Sequence, residues 1–459
     1  MNDRAPTSEI PQRIPANAGD LTVAAMGGLY TLELGCRLTI KGRLDTDVLA
    51  RAVRQLLDAV PVLGCSALRV RLLGSAWERC TALDGAEYFS VVWSDDPDRD
   101  GVAFHSEALR MDGPRLVARL LRSHDADDVC LKVDHRVADG WSVKELTCLL
   151  AETYTRVACD RSWIAEPDLS PRPTHADLRG LLTPAQRRAA RRTPGIAALS
   201  KWKMSLRRGR RDALSVRRLT LSPDRFLAIK AHGKVRGATV NDMLVTAMTR
   251  SLARMFPPAP GIALATYITS DLRRYVDAPA MRRVCNLSSA ALAQIACDPR
   301  DDFDEALERV MRSVRPWKDC LWWLKGSGGT PLPYYALCPI MSAAAVGFRR
   351  RGMNMPVMMN AGVLEEGRLG FGDALPVAAH VLGSTLKVGG FAATVSTYRD
   401  TLTVWMGSYE RDLHPALLEQ ALHGMDAELR RALERAGSLR RTGGPGSVCR
   451  HVGPDPAAG

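Results

Sequence analysis

The chain of 459 residues lacks the features that mark several protein classes. No apolar run approaches the roughly 18 residues that a membrane-spanning helix needs. The start, residues 1–15, is polar, contains proline and has no apolar stretch typical of a secretory signal. Aromatic residues are scarce, at 6%, but hydrophobic residues reach 46%, which is enough for a sizeable core. We therefore expect a globular, cytoplasmic protein.

Paired cysteines are also missing. The eleven cysteines are odd in number and widely spaced, and no C-x-x-C pair occurs. This pattern argues against a disulfide framework and a zinc site, so we expect reduced thiols and no bound metal. Neither G-x-S-x-G nor H-E-x-x-H occurs. Their absence removes the common hydrolase and zinc-protease interpretations.

Acidic residues are nearly absent from one stretch. Residues 179–218 contain thirteen Lys or Arg and a single acid, Asp212, so this stretch holds almost all of the net charge of +13. A solvated linker would explain it. Arginines and lysines that receive an acidic carrier protein or coenzyme A phosphates would also explain it, as would weak attachment to anionic lipid. No nucleic-acid-binding fold accompanies the charge, so we expect no nucleic acid.

Strand and helix patterns occur on both sides of the basic stretch, without regular βαβ alternation. Before it, Cys36–Ile40 alternates like a strand and Asp45 begins an amphipathic helix. After it, the patterns predict strands at 216–221, 262–269 and 401–405, and helices after Ser222-Pro223, over 239–255 and over 414–433. We divide the chain into a mobile tail (1–20), an N-terminal lobe (21–178), a basic inter-lobe segment (179–215), a C-terminal lobe (216–437) and a second mobile tail (438–459).

The most informative segment is residues 128–146, DVCLKVDHRVADGWSVKEL. Val129, Leu131, Val133 and His135 share one face of a predicted strand, so His135 leaves the strand toward the interior. Asp139-Gly140 predicts a turn, and Ser142 with Glu145 predicts a capping box at the start of the next helix.

A neutral imidazole at such a strand end is suited to general base catalysis. One ring nitrogen can take a proton from an attacking hydroxyl or amine and return it to a departing thiolate. A single inward histidine is also common as a satisfied core residue. The segment alone leaves both interpretations open.

Residues 134–140, DHRVADG, resemble the HHxxxDG signature of the condensation-domain superfamily of acyltransferases. Relatives include peptide-synthetase condensation domains, polyketide-associated acyltransferases and wax-ester synthases. Three further segments match in the same order: Leu44-Asp45 through Leu63, Gly237–Leu244 against GxTxNDxL, and Asn360-Ala-Gly362 against SNxG. Together they span roughly residues 40 to 425.

The resemblance implies a mixed α/β (α+β) fold of two chloramphenicol acetyltransferase-like lobes, arranged as a V around a central tunnel. It implies that His135 is the catalytic base, that Asp139 has a structural role, paired to an unidentified arginine, and that Gly140 lies near the reacting carbonyl. Asn360 and Gly362 would lie near the tunnel. Arg273 and Ser288 are substrate-binding candidates, although a charged turn and turn hydroxyls would also explain them.

Asp134 occupies the position of the first histidine of the family doublet. The expected activity is transfer of an acyl group from acyl-coenzyme A or an acyl-carrier protein to an alcohol or amine, with no tightly bound cofactor. The expected enzyme is a stand-alone monomer of natural-product or lipid biosynthesis. The alternative, raised by Asp134, is an inactive recruitment module of a synthetase or synthase complex.

Overall fold

The computed structural model describes residues 9–71, 74–191, 202, 204–209, 213–298, 300–319, 334–351, 356–435, 437 and 447–452. Within these ranges the strands are β1 Arg13–Pro15, β2 Glu33–Lys41, β3 Cys65–Arg69, β4 Ala76–Arg79, β5 Phe89–Trp93, β6 Leu116–Arg122, β7 Ala126–Asp134, β8 Leu214–Leu221, β9 Ala263–Asp271, β10 Ser288–Ala296, β11 Val357–Val363, β12 Pro376–Leu382, β13 Ala392–Tyr398, β14 Thr401–Tyr409 and β15 Ser447–Val452.

The α-helices of the same ranges are α1 Ala18–Ala25, α2 Thr46–Ala59, α3 Pro97–Ser106, α4 Gly140–Cys159, α5 His175–Gly180, α6 Pro184–Arg191, α7 Pro223–Val235, α8 Val240–Met255, α9 Phe303–Asp319, α10 Tyr334–Arg351 and α11 Pro415–Arg435. In the described part of the chain, none of them combines the length and apolar character that crossing a membrane requires.

Two mixed sheets organise the two lobes. The first has the strand order β12-β2-β7-β6-β5, and the second has the order β10-β9-β11-β13-β14-β8-β15. Each lobe has its own large hydrophobic core, in which α2 and α4 pack against the first sheet and α8 and α11 belong to the second. The predicted mixed α/β fold of two lobes is confirmed.

Local sequence signals account for several helix starts. Asp45 caps α2 by accepting hydrogen bonds from the amides of Asp47 and Val48. Thr239 and Asp242 form a capping box at the start of α8. Each predicted strand and helix before and after the basic stretch corresponds to an observed element, and none begins more than one residue before it, because the apolar period and the cap residue agree there.

The lobes are not separate segments of the chain. Strand β12 comes from the predicted C-terminal lobe, yet it pairs antiparallel with β2 in the first sheet, with Leu382 opposite Gly35. The boundary at residue 216 therefore does not divide the two sheets. A sequence pattern predicts that a strand is present but not which strand it pairs with, so the pairing of β12 with β2 was not predicted.

Both predicted tails include ordered residues. Strand β1 pairs with β4, and Asp20, fully buried at the start of α1, accepts a hydrogen bond from the indole of Trp77. Near the other end, β15 pairs with β8. Each predicted tail thus contains a strand that pairs with the rest of the fold, while the mobility of the tails stays a prediction.

The described parts of the basic segment also contribute to the fold. Helices α5 and α6 lie within or beside it, and Trp202 and Met204 are buried in the core of the second lobe. Arg217 and Arg218 belong to β8, where Arg218 pairs with Asp98 of α3. A purely solvated linker does not describe these residues. Five of the thirteen arginines and lysines, at 192, 201, 203, 210 and 211, lie outside the described residues.

Candidate active site

His135 is the first residue after β7, as the alternating pattern predicted. Its backbone amide donates to the carbonyl of Leu32 (2.6 Å), which extends the pairing with β2 by one residue. Its Nδ1 lies 2.8 Å from the carbonyl oxygen of Ala138. A carbonyl oxygen only accepts, so Nδ1 bears the proton of the neutral ring and Nε2 carries the lone pair.

The Nε2 atom of His135 has no hydrogen-bond partner among the described residues, and the side chain is half-buried. The ring of Tyr30 lies beside it, with centroids 5.7 Å apart and planes inclined by 38°. The Tyr30 hydroxyl approaches the sulfur of Met26 (3.6 Å). Burial raises the pKa of this hydroxyl, so Tyr30 stays neutral and serves as a wall for the imidazole. Sequence reasoning missed Tyr30 because it is far from His135 in the sequence, and the two rings meet only in the folded chain.

Asp139 holds the turn after His135. Its Oδ1 accepts hydrogen bonds from the amide and hydroxyl of Ser142 (both 2.9 Å), and its Oδ2 accepts from Arg273 Nη1 and the amide of Leu287 (both 2.8 Å). Burial opposes ionisation of Asp139, but the charge of Arg273 and these donors outweigh it and lower its pKa. The capping box predicted for Ser142 and Glu145 is wrong, because Asp139 itself is the N-cap of α4.

Arg273 is the arginine that the sequence could not identify as the partner of Asp139. It is 5% exposed, its guanidinium also donates to the carbonyl of Cys285 (3.0 Å), and it lies 4.4 Å from the centroid of the Trp141 ring. With its donors occupied by the protein, Arg273 is not open to a substrate. The binding role predicted for it is therefore replaced by a bracing role.

Asn286 completes the junction between the lobes. Its Nδ2 donates to the carbonyls of His135 (3.0 Å) and Arg136 (2.9 Å). The carbonyl oxygen of the preceding residue, Cys285, lies 2.9 Å from the hydroxyl oxygen of Ser142. The loop that carries His135 belongs to the first lobe, yet its backbone is held by residues of the second. The geometry of the site therefore depends on both lobes.

Asp134 points away from the imidazole. Its Oδ2 pairs with the fully buried Arg115 (3.1 Å), and its carboxylate also binds Arg136, whose guanidinium lies over the Trp77 ring at 5.5 Å. Asp134 thus fixes the strand end from the opposite face of the sheet. The bonds of its carboxylate go to Arg115 and to the amide and side chain of Arg136.

Gly140 is the first residue of α4. A Cβ built on it would meet no atom within 4 Å, and its φ is not in the left-handed region, so the turn itself does not require glycine. Its amide has no hydrogen-bond partner among the described residues. Open space and a free amide at the start of a 20-residue helix are suited to stabilising an oxyanion.

Asn360 and Gly362 form a bulge in β11. The side-chain oxygen of Asn360 accepts from the amide of Gly362 (2.8 Å), and the positive φ of Gly362 (81°) shifts the pairing with β13. Lys144, one turn after Gly140 on α4, donates to the carbonyl of Val363 (3.1 Å). The bulge therefore lies against α4, while a substrate role for Asn360 and Gly362 stays a prediction.

Ser288 lies at the start of β10, where its backbone carbonyl is 3.3 Å from Nε2 of His175. No contact places its hydroxyl beside His135 in the described residues, so its binding role also stays a prediction. The described residues contain no group of three or more His, Cys, Asp or Glu side chains able to hold a metal ion.

No protein-family model and no curated protein matches the chain by sequence. Solved structures do match its fold. The first condensation domain of the CDA synthetase has 17% identity and a TM-score of 0.64, over 92% of this chain and 97% of that one. Polyketide synthase associated protein 5 from Mycobacterium tuberculosis has 16% identity and a TM-score of 0.60, over 92% and 98%.

The trichothecene 15-O-acetyltransferase from Fusarium sporotrichioides is similar as well, with 12% identity, a TM-score of 0.60 and coverage of 92% and 95%. All three cover nearly the whole of this chain, so both lobes and their junction at His135 contribute to the likeness. The chain therefore has the two-lobed fold of condensation domains and related acyltransferases.

Proposed function

We propose that the protein is an acyltransferase in which His135 activates a hydroxyl or amine against an acyl thioester. The observation that carries the proposal is the state of the His135 ring. Its Nδ1 is fixed by the Ala138 carbonyl at 2.8 Å, which leaves the lone pair of Nε2 available in a half-buried position where the lobes meet. The fold shared with condensation domains and an acetyltransferase supports the same reaction class.

In this reaction, Nε2 accepts the proton of the acceptor O–H or N–H as the oxygen or nitrogen attacks the thioester carbonyl. The positive charge that forms on the ring is stabilised by the Ala138 carbonyl. The tetrahedral oxyanion develops near the free amide of Gly140. When the carbon–sulfur bond breaks, the imidazolium returns the proton to the leaving thiolate, and the product is an ester or an amide.

The donor in this proposal is an acyl-coenzyme A or an acyl-carrier protein, acting as co-substrate, and no tightly bound cofactor takes part. The neighbouring structures include domains of synthetases and a synthase, which supports a carrier-protein partner in general. Donor and acceptor would approach His135 through a tunnel between the lobes. Asn360, Gly362 and Ser288 are the candidates for lining it.

The test is transfer by the full chain from acetyl-coenzyme A, longer acyl-coenzymes A and acyl-pantetheine to panels of alcohols and amines, with products identified by mass spectrometry. We expect His135→Ala to lower turnover by about 10²-fold to 10⁴-fold, the usual contribution of a general base. The exposed His124→Ala is the matched control and should retain full turnover. A His135→Ala variant that turns over like the wild type would overturn the proposal.

The recruitment module remains the second candidate, because Asp134 replaces the first histidine of the motif and is committed to Arg115 and Arg136. This candidate predicts no turnover with any donor and binding of a synthetase or synthase domain that His135→Ala leaves unchanged. Turnover that disappears in His135→Ala while partner binding persists would exclude it.

A further inference from the structure

Helix α10 exposes an apolar surface that the proposed reaction does not use. Between Ala336 and Phe348 the helix contains Ser342 as its one hydroxyl residue and no charged residue. Of these thirteen residues, Ala345 alone is buried, while Ile340 is 52% exposed and Val346 is 47% exposed. A helix with apolar residues on all sides is normally covered by protein or lipid, so this surface points to a missing partner.

Helix α10 lies against the body of the protein near α1. Ala345 packs near Gly28, just after α1, at a distance of 3.9 Å from a Cβ built on that glycine. This contact fixes one face of α10 toward the protein and leaves the face with Ile340 outward. At 18 residues the helix is about 27 Å long, which suits a helix lying along a surface.

The charge of the surrounding sequence identifies the chemistry of the partner. No Asp or Glu occurs between Asp319 and Glu365, whereas α10 begins with Tyr334-Tyr335 and ends with Arg349-Arg350-Arg351. Tyrosines and arginines at the ends of an apolar helix are typical of segments at the boundary between lipid headgroups and acyl chains. The run of basic residues without acids favours a negatively charged surface.

We propose that α10 binds the surface of a membrane that contains anionic lipids, lying parallel to the bilayer with Ile340 and Val346 inserted among the acyl chains. The basic end of the helix contacts the headgroups. This places the protein at a membrane surface. The proposal is independent of whether His135 catalyses transfer.

The test is co-sedimentation of the full chain with vesicles of phosphatidylcholine, with and without 30% phosphatidylglycerol, a composition chosen here for the assay. We expect binding that needs phosphatidylglycerol and weakens as salt is raised. The double variant Ile340→Ser/Val346→Ser should lower the partition coefficient roughly tenfold or more, because two exposed aliphatic side chains no longer enter the lipid. Arg349→Gln/Arg350→Gln should lower the partition coefficient roughly tenfold, because it removes two positive charges that attract anionic headgroups.

Two matched variants serve as controls. Leu227→Ser/Val235→Ser removes two exposed apolar side chains from another helix, α7, and Arg187→Gln/Arg188→Gln removes two exposed arginines from α6. Both should bind vesicles like the wild type. Melting temperatures measured for all variants show whether each is folded.

Three results would overturn the proposal. The wild type could fail to bind the anionic vesicles, or the α10 variants could bind as well as the wild type. Alternatively, Ile340→Ser/Val346→Ser could change the oligomeric state in sedimentation velocity, or abolish binding of a purified acyl-carrier protein, without changing vesicle binding. In that last case α10 contacts protein and not lipid.

Discussion

His135 and His105 have similar local contacts and different consequences. Each histidine places one ring nitrogen near a backbone carbonyl, His135 at Ala138 (2.8 Å) and His105 at Gly383 (3.3 Å), and each lies where the two lobes meet. His105 is 5% exposed and packs edge-on against Trp405. Burial lowers its pKa to about 4, so it is neutral near pH 7 and part of the core.

His135 keeps a free Nε2 and a half-buried ring, so the same side chain can take and return a proton. The comparison teaches that neither the residue type nor contact with a carbonyl marks a functional histidine. What differs is burial: the His105 ring is buried, whereas the His135 ring is half-buried and its Nε2 has no hydrogen-bond partner among the described residues.

The ion pair of Asp139 with Arg273, beside His135, is buried, whereas Asp98, on the His105 side, is partly exposed. Substitution of the two aspartates should therefore lower the unfolding free energy by different amounts. Asp139→Ala leaves the buried Arg273 without its main partner and removes four hydrogen bonds, so we expect a loss of about 3–5 kcal/mol of unfolding free energy. Asp98→Ala, at the His105 side, removes a carboxylate that is 28% exposed and pairs with Arg37 and Arg218. There we expect a loss of about 1 kcal/mol. Urea denaturation measures both, and equal losses would contradict the contrast.

Acid should weaken the junction at His105. Its pKa is about 4 in the folded protein and near 6.5 when unfolded, so the unfolded state binds more protons between these values. His105 therefore costs no stability above pH 6.5. As the pH falls from 6.5 through 4, its protonation in the unfolded state lowers the unfolding free energy by about 3 kcal/mol. Unfolding free energies of the wild type and His105→Gln from pH 7.5 to 4 test this, with the exposed His124→Gln as control. A pH dependence that is identical in the wild type and His105→Gln would refute it.

The smallest expected effect concerns the ring beside His135. Tyr30→Phe preserves the contact between the rings and should change kcat by less than about twofold, whereas Tyr30→Ala frees the imidazole to rotate and should lower kcat roughly tenfold. KM and thermal stability should change less than kcat, since Tyr30 acts by positioning. Equal kcat values for the two variants would show that the ring has no such role.

Local sequence determined much of the molecule. The strand that ends beside His135, the helix that begins at Asp45 and the helix over 239–255 were predictable, because apolar period and cap chemistry act over a few residues. The two-lobed fold was implied by the resemblance of the motifs and not by these local patterns. The motif also indicated that Asp139 is structural.

Tertiary structure alone decided the rest. The pairing of β12 with β2, the contact of Tyr30 with His135 and the partnership of Asp139 with Arg273 join residues from distant parts of the chain, and local pattern does not encode such pairings. The open Nε2 of His135 is of this kind as well. The sequence established that a histidine stands at a strand end, but only the packing of two lobes around it determined which nitrogen is bonded and which is free.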